Sequence, residues 1–413
     1  MVNGEELIQL SNRGKPGCPV SRLGFGPIAD KFFVVGALSS VIGTGWIGAH
    51  MWLSLNGQLP MKSFYVDMRE LHVLIQMYLF LGFFVLGFLA QAGPKIVGAK
   101  LPPSPLTLLW IPLSVLGVVF WYTLPESIIG KGIISGVYIS AILYAARFQQ
   151  SGEPTLSATA GRLNLLGLFG FALSPILPLE ESSVALIIFW SGVGALIIGS
   201  GQQFIAAFLG GTRCSKRQAH YLFILVLVTG AALSLSPVLK MSVLSNLAGF
   251  FASVTIGYYV YCTKLYLGYR TAHQDGLALS FLISFFWAIV GSFILLYQGN
   301  GISDLVFHLW AIGWATPLIL AVSGQIMGFM SGKNITKNPL FISALIFWQI
   351  VPVGRALLPY VKFPASFSWL VSTSASTVLI FWCYQLLSAE RLLIARGKVM
   401  QKKLASGSGR GQR

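Results

Sequence analysis

The side chains of this chain that could do chemistry are ionisable groups at the ends of long apolar stretches or inside them. His72 begins one apolar run, His308 begins another, and Arg355 lies within a third. Neutral imidazole is a good ligand for haem iron, and two imidazoles from different helices can hold a flat ring edge-on between them. A buried arginine can bind a haem propionate through two hydrogen bonds. These residues predict a haem site with His72 and His308 as axial ligands and Arg355 as the propionate partner.

A plainer interpretation of the same residues stays open. A histidine at a helix start can simply be a polar residue at the water boundary, and Arg355 can extend its charged end outward past Leu358 and Tyr360. We expect no aspartate or glutamate within the spans near Arg355 to pair with it. His50 is a further candidate, as an additional ligand or a hydrogen-bond donor, although the tryptophans on either side of it are typical of an aromatic belt.

The elements that position these residues follow from composition. The chain has 413 residues, of which 55% are hydrophobic and 10% charged, whereas soluble domains carry about 25% charged residues. Apolar runs of about 20 residues must be helices in lipid, since strands outside a closed barrel leave backbone groups unpaired. The sequence therefore predicts an all-α, polytopic membrane helix bundle of about twelve transmembrane helices. The predicted spans are 32–55, 71–92, 105–123, 128–146, 163–179, 184–208, 219–238, 243–263, 277–297, 304–329, 339–360 and 367–388.

The positions of the basic residues predict the orientation. With the N-terminus in the cytoplasm, 22 of the 28 basic residues fall on the cytoplasmic side and five on the opposite side, as the positive-inside rule requires. We therefore expect both termini in the cytoplasm: an N-terminal segment 1–31, a membrane domain 32–388 and a basic tail 389–413. Such a tail typically faces anionic lipid, so the net charge of +16 is not taken as a sign of nucleic acid binding.

Two segments carry a family resemblance. The run from His72, HVLIQMYLFLGFFVLGFLAQAGPKI, resembles the second-helix signature of the NnrS family, and the run around His308, FHLWAIGWATPLILAVSGQIMGFMSGK, resembles a later helix of that family. The resemblance implies a polytopic protein of about twelve helices that contains haem and copper. It also implies a link to nitric oxide metabolism and resistance to nitrosative stress, and a place in the bacterial inner membrane.

Histidines on spans two and ten also make the chain similar to the catalytic subunit of haem-copper oxidases. In that superfamily these two helices ligate haem, and histidines on the sixth and seventh helices hold copper. Here span six has no histidine, and His220 lies at the cytoplasmic end of span seven. The NnrS-like signature often has a second histidine two residues after the first, where this chain has Leu74. An oxidase-type copper site is therefore not supported, although copper itself is not excluded.

Several functions remain open at this point. Two axial histidines would leave no free position on the iron and would favour electron transfer or sensing, with a redox partner; one would leave a face for a small diatomic ligand. Whether the protein is an enzyme stays undecided. The alternatives are a cofactor-free secondary transporter and a structural subunit of a membrane complex. Against a transporter, the two halves show no internal repeat, and the spans hold no acidic residue at mid-membrane depth.

Overall fold

The computed structural model describes residues 28–59, 64–97, 104–148, 158–177, 188–239, 241–298, 304–358 and 360–407. Within these ranges the regular structure is entirely helical, which confirms the all-α prediction. We number the twelve helices in chain order as α1 (Ile28–Leu55), α2 (64–97), α3 (Ser104–Thr123), α4 (Ile128–Phe148), α5 (Ala158–Leu173), α6 (Ile188–Phe208), α7 (Lys216–Leu239), α8 (Ser242–Thr263), α9 (Gly276–Gln298), α10 (Asp304–Ser331), α11 (Pro339–Leu357) and α12 (Ala365–Gly407).

Each predicted span overlaps one of these helices. Eleven helices of the described residues are long and apolar enough to cross a membrane, and the remaining one, α5, contributes the shorter apolar stretch Gly161–Ile176. Large apolar side chains such as Ile128, Leu143 and Phe329 lie exposed on the outside of the bundle, where lipid rather than water would cover them. The protein is therefore an integral membrane protein whose surroundings are a lipid bilayer.

Three packing relationships position the candidate residues. Helix α1 packs against both α2 and α12, while α10 packs against α9, α11 and α12. Helix α6 touches both α2 and α10, so it links the helices around α1 and α2 to the helices around α10. The histidine-bearing helices α2 and α10 are therefore held in one central group with α1, α6, α11 and α12.

A cluster of buried aromatic rings fixes α10 against its neighbours. Trp190 of α6 lies 5.2 Å from Trp310 and 5.9 Å from Trp314 between ring centroids, and all three side chains are fully buried. Trp190 donates its indole N–H to the carbonyl of Val226, and Trp310 donates to that of Ala288. Because a buried indole N–H needs an acceptor, these bonds give Trp190 and Trp310 defined positions as well as buried area. The indole N–H of Trp314 has no acceptor among the described residues.

Wide helical turns interrupt four of the spans. The π-helical segments of the described residues are Val41–Gly48 in α1, Ile75–Leu81 in α2, Ile188–Gly194 in α6 and Leu309–Ala315 in α10. Segments of this kind are rare in helices and occur often at functional sites. Here the π segment of α2 contacts those of α1 and α6, and the segment of α6 also contacts that of α10.

An ion cluster joins α1 to α12 at the predicted cytoplasmic end. Lys31 pairs with Glu390 of α12 and lies 3.4 Å from Asp30, whose side chain is buried. Helix α12 continues unbroken to Gly407, past the predicted boundary at residue 388. The cluster therefore fixes α12 at the point where it continues beyond the predicted span.

Removal of the Lys31 cation should weaken this joint. In Lys31→Met, Asp30 and Glu390 would face each other without a counter-charge. We expect the free energy of unfolding to fall by about 1–2 kcal/mol, less than the roughly 3–5 kcal/mol of a fully buried pair, because Lys31 is 43% exposed. Thermal unfolding in detergent measures this, with exposed Lys337→Met as the control. Equal midpoints for the two variants would show that the cluster adds no stability.

Candidate functional site

A cavity of about 580 Å³ lies between the predicted outer halves of α1, α2, α10, α11 and α12. Its volume falls within the range of about 300–1,000 Å³ that is usual for ligand and cofactor sites. Apolar side chains form much of the wall, including Trp52, Phe80 and Phe307. The ionisable side chains that line it are His72, His308, Arg355, Asp304 and Arg69. The structure thus brings His72, His308 and Arg355 to one cavity.

His72 is held by a backbone carbonyl of the neighbouring helix. It lies near the start of α2, three residues before the π segment, and its Nδ1 is 2.9 Å from the carbonyl oxygen of Gly43 in α1. A carbonyl can only accept, so we assign the proton to Nδ1. The neutral ring then keeps Nε2 as the nitrogen that can bind a ligand or a metal.

His308 is held in a similar way from within its own helix. It immediately precedes the π segment of α10, and its Nδ1 lies 2.7 Å from the backbone oxygen of Asp304 and 3.2 Å from the carboxylate of the same residue. Nδ1 is therefore again the protonated nitrogen. Arg355 Nη2, at 3.0 Å, is then a close neighbour of the ring rather than a donor to it. Nε2 is again the nitrogen left for a ligand.

Arg355 has an acidic partner, contrary to the expectation from the sequence. Its Nη2 donates to a carboxylate oxygen of Asp304, the first residue of α10. The expectation was wrong because Asp304 stands at the membrane boundary of its own span, and only the packing of α10 against α11 brings it to Arg355. The guanidinium is still not fully paired: its Nε is buried and has no hydrogen-bond partner among the described residues.

The remaining candidate, His50, does not line the cavity. Its side chain is exposed, next to the exposed Trp46. Two residues not singled out from the sequence do line it, Arg69 and Gln76. They lie three residues before and four residues after His72, so they share its helix face. The same spacing of four residues places Asp304 next to His308. Helical periodicity around each histidine is therefore the sequence signal that could have identified Arg69, Gln76 and Asp304.

The comparison with protein families identifies the family to which the chain belongs. A family model described as NnrS protein matches residues 19–396, which include every residue of the cavity wall named above. The chain belongs to the NnrS family. A comparison with curated proteins found no match.

The described part of this NnrS-family chain holds no group of three or more histidine, cysteine, aspartate or glutamate side chains arranged to bind a metal ion. Cys214, Cys262 and Cys383 are buried and free, and Cys18 lies outside the described residues. A haem needs only one or two protein ligands because the porphyrin supplies four nitrogens. His72 and His308 would therefore suffice as the protein ligands of a haem.

Gly48 allows α1 to approach the His72 ring in this NnrS-family protein. A Cβ at this position would lie 3.0 Å from Cε1 of His72, closer than side chains normally come. We expect Gly48→Ala to displace the imidazole and to reduce stability by about 1 kcal/mol through overpacking. Gly132→Ala is the matched control, because nothing lies within 4 Å of its added carbon. Thermal midpoints of the two variants test this, and a Gly48→Ala protein as stable as the control would contradict it.

Proposed function

We propose that this NnrS-family protein binds haem in the cavity between α1, α2, α10, α11 and α12, with His72 and His308 as axial ligands. We further propose that it acts in nitric oxide metabolism or in the response to nitrosative stress, by electron transfer or by sensing a small diatomic ligand. The bacterial inner membrane is the location that we propose.

The observation that carries this proposal is the shared arrangement of the two histidines. Both side chains line one cavity, and each has Nδ1 next to a protein oxygen, while no described residue forms a hydrogen bond with either Nε2. Histidines that ligate metals almost always donate their other ring nitrogen to a carbonyl or carboxylate, which sets the tautomer and the ring orientation. A histidine that is merely solvated at a helix start does not need this restraint.

The positively charged side chains that line the cavity favour a cofactor that bears carboxylates. Arg355 keeps an unpaired buried Nε although Asp304 occupies its Nη2. Arg69 is exposed on the same cavity, and so a second cation is available. Haem carries two propionates, and arginine binds such groups with paired hydrogen bonds. We propose that Arg355 would bind one propionate and that Arg69 would lie close to the other propionate.

The protein's own side chains would set the behaviour of the bound group. Haem supplies one-electron chemistry, and it supplies a binding position for a diatomic ligand where an axial site is open. The Asp304 carboxylate lies 3.2 Å from Nδ1 of His308 and would hold the imidazole in one orientation. Phe80, Phe307 and Val351 line the cavity with apolar surface, which would exclude water from a group bound there.

The transporter alternative gains no support from the deep polar side chains. Gln349 accepts a hydrogen bond from the indole of Trp287, Gln325 accepts one from Thr336, and Gln202 accepts one from the backbone of Cys214. Such bonds between helices and loops are the ordinary role of glutamine in a membrane bundle. These three side chains are therefore engaged within the bundle, whereas Oε1 of a fourth deep glutamine, Gln203, is buried without a hydrogen-bond partner among the described residues.

An absorption spectrum tests the haem proposal directly. The protein is produced with an adequate haem supply, purified in detergent, and measured oxidised and then reduced with dithionite. We expect a Soret band with sharp reduced α and β bands, and their loss in the His72→Ala/His308→Ala double variant. His50→Ala is the matched control, because that exposed histidine lies outside the cavity wall. A colourless native protein, or a double variant that keeps its bands, would overturn the proposal.

A further inference from the structure

A second cavity shares a wall with the candidate haem site. It has a volume of about 100 Å³ and lies further along α2 and α10 towards their predicted cytoplasmic ends. Leu81 of α2 lines both cavities. The other lining residues come from α1, α2, α6, α9 and α10 and include Phe33, Phe84, Val193 and Leu318.

The lining of this second cavity is almost entirely apolar. Its polar side chains are two serines, and both hydroxyl protons are already engaged. Ser200 donates to the side-chain oxygen of Asn164 at 2.7 Å, and Ser323 donates to the carbonyl of Ile319 at 2.6 Å. A buried water needs two to four polar contacts, so apolar cavities of this kind stay dry and bind apolar guests instead.

The size of the second cavity limits the guest to a few atoms. One water molecule takes up about 30 Å³ of liquid volume, so the cavity holds only a few atoms of that size. Phe88, Ile197 and Ile319 of its lining are partly exposed on the bundle. A small apolar molecule dissolved in the bilayer could therefore enter from the lipid side without crossing polar surface.

We propose that the second cavity is a binding site for one small uncharged apolar molecule of a few atoms, with Leu81 as part of the wall between it and the polar cavity. This inference rests on the geometry of the second cavity alone and does not require haem to be bound in the first. A guest held there lies one side chain away from the cavity that contains His72 and His308.

Xenon is a suitable probe because it is apolar, small and visible by anomalous diffraction. Crystals of the full-length protein are pressurised with xenon, and we expect an anomalous peak inside the second cavity. Val193→Phe places a ring in this space, and we expect it to abolish the peak. The matched control is Val119→Phe on the exposed face of α3, which adds the same bulk and should leave the peak unchanged.

Leu81→Ala tests the wall separately. With the side chain shortened, we expect xenon density to extend from the second cavity towards the polar one. Absence of xenon in the native protein, ordered water in the cavity, or a lipid chain filling it would each overturn the proposal. A xenon peak in a colourless protein would uphold this inference while the haem proposal failed, so the two are distinguishable.

Discussion

If haem binds between His72 and His308 as proposed, replacing His308 alone by alanine is expected to let the iron bind carbon monoxide. With both axial nitrogens present, the native protein should show a low-spin spectrum that carbon monoxide changes little. Loss of the His308 imidazole opens one axial position, and so the reduced variant should become high-spin and show a shifted Soret band on exposure to carbon monoxide. His72→Ala should behave in the same way from the opposite face.

Imidazole in the buffer provides a sharper form of this test. The cavity left by the missing side chain can admit free imidazole, which should restore the low-spin spectrum of either single variant. His50→Ala should match the native protein in every measurement, because its side chain is exposed outside the cavity wall. Ligation by both histidines would be contradicted if the native protein already bound carbon monoxide fully and one of the two single variants bound it equally well. Only one histidine would then be assigned as an axial ligand.

Replacing Arg355 by leucine is expected to weaken haem binding by about 10–100-fold, the usual effect of losing a group that supports a ligand. The change removes the partner of Asp304 and the cation assigned to a propionate, while Arg355→Lys keeps the charge but loses the planar pair of donors. The lysine variant should therefore fall between the native protein and the leucine variant. The rate of haem transfer to an excess of apoglobin measures the order of the three.

A double-mutant cycle with Asp304→Asn separates two roles of Arg355. If the arginine acts mainly by holding Asp304 against His308, the two changes together should weaken binding little more than one alone, with a coupling energy of about 0.5–3 kcal/mol. Additive losses would instead indicate that Arg355 contacts the cofactor independently of Asp304. Thermal midpoints measured without haem control for general destabilisation, which is expected because Asp304→Asn leaves the buried Arg355 guanidinium without its carboxylate partner.

The fold was predictable because lipid leaves the chain few options. Long apolar runs must satisfy their own backbone hydrogen bonds, so run length alone predicts helices near their observed positions. Helix α5 is the least regular case: its apolar stretch ends at Ile176 after a 3₁₀ turn that contains Pro175. The length of α12 was not predictable in this way, because beyond residue 388 the helix continues through sequence that is no longer apolar.

The candidate site was predictable only in part. The depth of His72 and His308 followed from their positions at the starts of their spans, and the structure places both on one cavity. The Asp304 partner of Arg355 and the Gly43 carbonyl partner of His72 depend on which helices pack together, which composition and run length do not specify. The structure places His50 outside the cavity wall, since depth near the membrane surface does not determine which way a side chain points.

The π segments next to the histidines have a consequence for the angular register of the two spans. Each residue of an α-helix turns the chain by about 100°, and a π turn contains roughly one residue more than an α turn. The residues of α10 before Leu309 therefore face a different direction from the one they would face if Leu309–Ala315 were regular α-helix with the same number of residues. A one-residue deletion within this segment would remove the extra residue and leave His308 facing nearly the same way, whereas regular α winding of all seven residues would turn His308 by about 100° around the axis. The direction in which each imidazole points is thus set by residue count as well as by residue type.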